Sequence, residues 1–190
     1  MPQTDVSLCS TALVKLGARP ITSFDEPTAE AETAARLYPV VRDATLMAHP
    51  WSFTLAQASL ERDPLPPAGD FAFSFRLPPD ILRTLSAGSG GSGRGLVYRV
   101  FGGRLHTDAP TVLLTYQRRP SEAEFPAYFV PVLVARLAAE FCLPITENAA
   151  RAEVLTRLAA SELKLAKLID SQQSTPQRVE DFTLVQARLA

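Results

Sequence analysis

The stretch from Leu37 to Phe53, LYPVVRDATLMAHPWSF, constrains the fold more than any other part of the chain. A helical spacing of apolar residues runs up to His49 and stops at Pro50, whose ring denies the preceding residue a helical conformation. Beyond it Trp51, Phe53 and Leu55 alternate with smaller or polar residues, as in a half-buried strand. A chain with such a change of period is neither all helix nor all sheet. Helical patterns lie on both sides of a strand-rich middle, so the fold class expected is α+β: a bundle built from N- and C-terminal helices, a small central antiparallel sheet, and a polar C-terminal extension.

Thr4 is placed to cap a first helix carrying Val6, Leu8, Cys9, Leu13 and Leu16, and Gly17 suits the left-handed residue that closes it. GARPITSFDEP, with Pro20 and Pro27, is a connection. Thr28 to Ala48 reads as a second helix, with Glu30 and Glu32 near its positive end and Leu37, Val40, Val41, Ala44 and Met47 on its inner face; Pro39 predicts a kink within it. Strand alternation returns in Phe71, Phe73, Phe75 and Leu77, then in Ile81 to Leu85, Leu96 to Phe101, Arg104 to Thr107 and Thr111 to Tyr116. Short connections favour antiparallel pairing in one small sheet. From Pro126 a third helix shows Phe129, Val130, Leu133, Leu137, Phe141 and Cys142 on one face and ends at Leu143-Pro144. Thr146 then caps a fourth, Glu147 to about Ile169, with Leu155, Leu158, Leu165, Leu168 and Ile169 apolar and Arg151, Arg157, Lys164 and Lys167 largely opposite. The expected organisation is a discontinuous bundle of residues 1–50 and 120–170, a β insertion of residues 51–119 with a glycine-rich hairpin loop at 88–95, and a docking tail of residues 171–190. In that tail Val179, Phe182, Leu184 and Val185 offer a short apolar face.

A net charge of -1 and a pI near 6.1 give no global argument for a nucleic-acid partner. Between Gly88 and Arg119, however, the charged residues are Arg94, Arg99, Arg104, Arg118 and Arg119 against Asp108 alone. Charged strand edges discourage unwanted pairing. The same residues, Arg94, Arg99 and Arg104 foremost, would also serve as contacts to DNA or an acidic partner. Cys9 and Cys142 sit in apolar helical contexts that suit buried hydrophobes better than a disulfide. The N-terminus lacks the basic start and apolar run of a signal peptide, and no apolar segment is expected to reach the ~20 residues of a membrane span. A cytoplasmic protein without a membrane partner is the expectation.

Catalysis has no support in the sequence, and neither a cofactor nor a metal is expected. Gly88, Gly90 and Gly93 satisfy GxGxxG, but a strand pattern follows where the dinucleotide motif requires a helix N-terminus. His49 and His106 have no carboxylate or thiol at metal-ligand spacing. Asp25-Glu26 and the pair Glu122 and Glu124 flank prolines in loops. Trp51, the single tryptophan, reads as core, with an interface anchor as the alternative.

LGARPITSFDE (Leu16 to Glu26), the His49-Pro50-Trp51 junction, LPPDILRTL (Leu77 to Leu85) and YRVFGGRLHTDAP together resemble the tail tubular protein A family of short-tailed phages. The resemblance covers roughly Val6 to Asn148. It implies a structural head-to-tail adaptor, made in the host cytoplasm and housed in the neck of the virion. It further implies a homo-oligomeric, dodecameric ring joined to the portal protein above and to the tail nozzle or tube protein below, through which genomic DNA passes. On that view Val179, Phe182, Leu184 and Val185 dock on the portal or a neighbouring subunit. The alternative is a nucleic-acid-binding or regulatory module outside any virion that uses the basic segment 94–119.

Overall fold

The computed structural model describes residues 3–67 and 69–173; the expected docking tail from residue 174 on, with Val179, Phe182, Leu184 and Val185, lies outside the described residues. The fold is α+β, with four helices and two antiparallel sheets of three strands each among the described residues. Helix α1 spans Asp5–Lys15 and begins with a capping box in which Thr4 and Ser7 exchange bonds. Gly17 follows it in the left-handed region at φ 69°. Helix α2 spans Ala29–Met47 behind a Thr28 cap and runs through Pro39 without interruption. Helix α3 spans Phe129–Thr146, and α4 spans Ala149–Ser171.

Helix α3 lies at the centre, packed on each of the other three. Its residues Phe129, Leu133, Leu137, Phe141 and Cys142 are buried as expected. This helix is long and apolar enough to cross a membrane by composition, contrary to the sequence expectation, but half of it is buried against its neighbours. It also outruns Leu143-Pro144. A proline in the last turn removes one ladder bond, and the helix continues to Thr146 before Glu147 turns it off in the left-handed region at φ 53°. The Thr146 hydroxyl is turned back onto the Cys142 carbonyl at 2.6 Å, so Asn148, not Thr146, caps α4 by accepting from the Arg151 N–H.

Two inner faces differ from the expected ones. On α2 the buried residues are Ala31, Ala34, Tyr38, Val41, Thr45 and Leu46, while Val40, Ala44 and Met47 face outward. Tyr38 and Thr45 tolerate burial because their hydroxyls donate to Glu122 Oε1 at 2.9 Å and to the Val41 carbonyl at 2.6 Å. On α4 the buried positions are Ala159, Ala166 and Asp170. Leu155 packs partly on the core, whereas Leu158, Leu165 and Leu168 point away from it. The small side chains of Ala159 and Ala166 take the most buried positions of α4, with Leu155 and Leu163 packed partly beside them.

The strands are β1 (Leu55–Ser59), β2 (Phe73–Arg76), β3 (Ile81–Gly88), β4 (Arg99–Phe101), β5 (Arg104–Thr107) and β6 (Leu113–Arg118). They form two sheets rather than the single one expected, ordered β1-β6-β3 and β2-β5-β4. Phe75 and Leu105 from the second sheet share one core with Ala87, Leu114 and Tyr116 from the first, separate from the core of the helices. Strand β1 starts only at Leu55, because Ser52–Thr54 forms a 3-10 turn in which the Thr54 hydroxyl closes on the Trp51 carbonyl at 2.7 Å. The glycine-rich segment is anchored at its base. Gly88 belongs to β3 opposite Leu113, a Cβ there would collide with the Ser92 carbonyl, and the Ser86 hydroxyl donates to the Gly93 carbonyl at 2.8 Å.

Candidate functional site

The helix-to-strand junction positions the outer surfaces of the molecule. Trp51 is fully buried and donates from Nε1 to the Thr45 carbonyl at 3.1 Å, with its ring edge-on to His49 and Phe129. It is therefore core, not an interface anchor. Just beyond it, Asp170 from the end of α4 accepts from the Ser52 N–H at 3.0 Å, the Ser52 hydroxyl at 2.8 Å and the Tyr128 hydroxyl at 2.6 Å. His49 Nε2 stands 3.3 Å from the other carboxylate oxygen. One carboxylate thus ties α4 to the turn after Pro50 and to the segment entering α3. From the sheet side, the fully buried Gln117 donates from Nε2 to the carbonyls of Leu46 and His49 at 2.7 and 2.8 Å, closing the end of α2. Its Oε1 accepts from Arg83 at 2.8 Å. Sequence reasoning missed both residues. A lone Asp in a polar helix end and a Gln in a strand carry no periodic signal.

Held in this way, α4 shows solvent a stripe of Val154, Leu158, Leu165 and Leu168, each more than half exposed. The spacing through Ser161 alternates four and three residues, the repeat by which one helix seats against another. Arg157 beside it is paired with Glu153 at 3.1 Å.

The basic segment does not form one patch. Arg118 pairs with Glu124, and Arg119 pairs with Asp43 at 2.7 Å. The Arg118 guanidinium and the Ser121 N–H hold the Glu124 carboxyl down to about 2. Glu122 accepts from Tyr38 and Arg42, and Glu26 from Thr22 and Ser23. Asp25 accepts from the Ser23 hydroxyl at 3.4 Å, so each member of these carboxylate pairs is engaged in a structural bond to another element or along its own loop. Arg94 lies in the glycine-rich turn, outside the strands that carry Arg99 and Arg104.

Arg99 and Arg104 do come together, on the second sheet. In its register Ser74, His106 and Arg99 are opposite one another, and Arg76, Arg104 and Phe101 make the next rung on the same face. The rung between, Phe75, Leu105 and Val100, points to the other side, where Phe75 and Leu105 are buried. The Gly102-Gly103 turn, both residues at positive φ, brings Phe101 back opposite Arg104. The Phe101 ring stacks on His106 at 3.8 Å and 5°, and Arg104 pairs with Asp63, which also accepts from the Ser74 hydroxyl at 2.9 Å. The loop from Asp63 to Pro67 walls one side of this face, leaving an open cleft of about 500 Å³. Arg76 was not foreseen as part of the patch. Its membership follows from strand register, which local sequence does not reveal.

Among the described residues no group of three or more His, Cys, Asp and Glu side chains is placed to hold a metal. No protein-family model matches the chain, and no curated protein matches it.

Proposed function

We propose that this chain is a structural adaptor subunit of a phage neck, acting without catalysis, that packs side by side with copies of itself into a ring between the portal and the tail. The observation that carries the reading, beside the resemblance of Leu16 to Glu26, His49 to Trp51 and Leu77 to Leu85, is the apolar stripe on α4. Four large aliphatic residues held outward on a rigid helix at seam spacing suit burial against another helix, and identical subunits joined head to tail close into a ring when the rotation allows. In this reading the stripe receives the neighbouring copy. Residues 174–190 follow directly and serve the portal.

The test is the double substitution Leu158→Lys with Leu165→Lys, mixed with assembled portal rings. Both side chains are solvent-facing, so the variant folds with an unchanged melting point yet fails to complete a ring on the portal. Rings forming as well as with the unaltered chain would refute the role of α4. The reading as a nucleic-acid-binding module is favoured by one feature only, the basic face of the second sheet.

A further inference from the structure

We infer that the exposed face of the β2-β5-β4 sheet is a binding site for a nucleotide unit, free or within single-stranded nucleic acid, with the base on the outer face of Phe101 and the phosphates on Arg76 and Arg99. The inference stands apart from the assembly reading and goes beyond it. Its basis is what the strand register places on one face. Phe101 is 53% exposed although its inner face is stacked on His106. The stack holds the ring flat and leaves its other π-face to solvent, an arrangement that proteins binding single strands use for base stacking.

The charges around it are uneven. Asp63 is occupied by Arg104 and Ser74. The side chains of Arg76 and Arg99 form no ion pair or hydrogen bond among the described residues, so Asp63 pairs with one guanidinium of the three. Along β4, Arg99 stands two residues from Phe101, about 7 Å; across the sheet, Arg76 lies two strands away on the same rung, about 10 Å. Both arginines lie on the His106 side of the ring, one along the strand and one across the sheet, where the sugar-phosphate backbone of a stacked base can reach them. Pro64 and Pro66 close the cleft with apolar surface, and its volume suits a ligand of nucleotide size. A duplex hides its base faces in its own stack and leaves Phe101 without a partner. An acidic peptide engages the arginines but offers the ring no obligatory planar group.

The experiment is fluorescence anisotropy of a labelled oligothymidylate of about 12 nucleotides, a length within the span of single-strand sites, against the full chain at low salt. Phe101→Ala is expected to weaken binding about tenfold or more and Phe101→Trp to restore it. Arg76→Ala and Arg99→Ala are each expected to lower the slope of log affinity against log salt by about 1. Thymidine monophosphate competing with the same dependence on Phe101 assigns the site to free nucleotides; failure to compete while the oligomer binds assigns it to the strand. Because Phe101 is exposed, an unchanged unfolding midpoint verifies the variant's fold; should Phe101→Ala misfold, the Trp variant and the arginine slopes still decide. The inference is overturned if neither probe binds, if loss of the ring leaves affinity unchanged, or if a duplex of equal length or a polyglutamate peptide displaces the oligomer at matching concentration.

Discussion

Asp170 and Gln117 join elements that are distant in sequence. Removing the Asp170 carboxylate leaves the Tyr128 and Ser52 donors without their acceptor in a largely enclosed site, so Asp170→Ala is expected to lower unfolding stability by about 2 kcal/mol or more. Urea denaturation reads this directly, and a loss under about 0.5 kcal/mol would show that the junction does not hold α4. A second expectation concerns alkaline pH. Burial, with the Asp5 charge adding to it, pushes the Cys9 thiol up to about 12. Burial and the bond to Asp170 push Tyr128 up to about 12, and burial with Glu122 raises Tyr38. The folded chain keeps these protons where the unfolded chain releases them. The corresponding stability is complete below the unfolded values, about 8.5 for the thiol and about 10 for the phenols, and is lost as pH climbs toward 12. The urea midpoint should fall across that window. A flat midpoint would contradict the burial of these three groups.

Both ends of α1 were legible because Thr4 and Gly17 act on their own backbone within one turn. The orientation of α4 was not. Periodicity distinguishes an apolar side from a basic one, but it does not reveal that Ala159, Ala166 and Asp170, and not the leucines, take the most buried positions. This predicts opposite outcomes for neighbouring residues. Ala166→Leu, buried against the bundle, is expected to cost about 1–3 kcal/mol by overpacking, whereas Leu165→Ser, half exposed, changes stability by less than about 0.5 kcal/mol. Paired thermal melts decide, and a reversed order would place the stripe inside. The strands show the same limit. Alternation located β2, β3 and β5, yet the division into two sheets depends on which strands pair, and that is set by long-range packing of Phe75, Leu105 and Leu114. Likewise Arg99 and Arg104 stood out by local charge, while Arg76 joins them only through register.

At the scale of the molecule, a helical core and a sheet core meet through Gln117, which carries the end of α2 on the first sheet, and through Leu82 of β3, which packs against the helical core. Such a body presents its two surfaces of interest on separate elements: the stripe on α4 and the cationic face on β2, β4 and β5. In the proposed ring, a subunit would meet its neighbour with the first while the second remains open. The measurement that tests this account most directly is electron microscopy of the purified chain mixed with isolated portal rings, with native mass spectrometry of the same mixture. The account predicts a second ring stacked coaxially on each portal, with one copy of this chain per portal subunit. Portal rings that remain bare at saturating concentrations of the folded chain would contradict it.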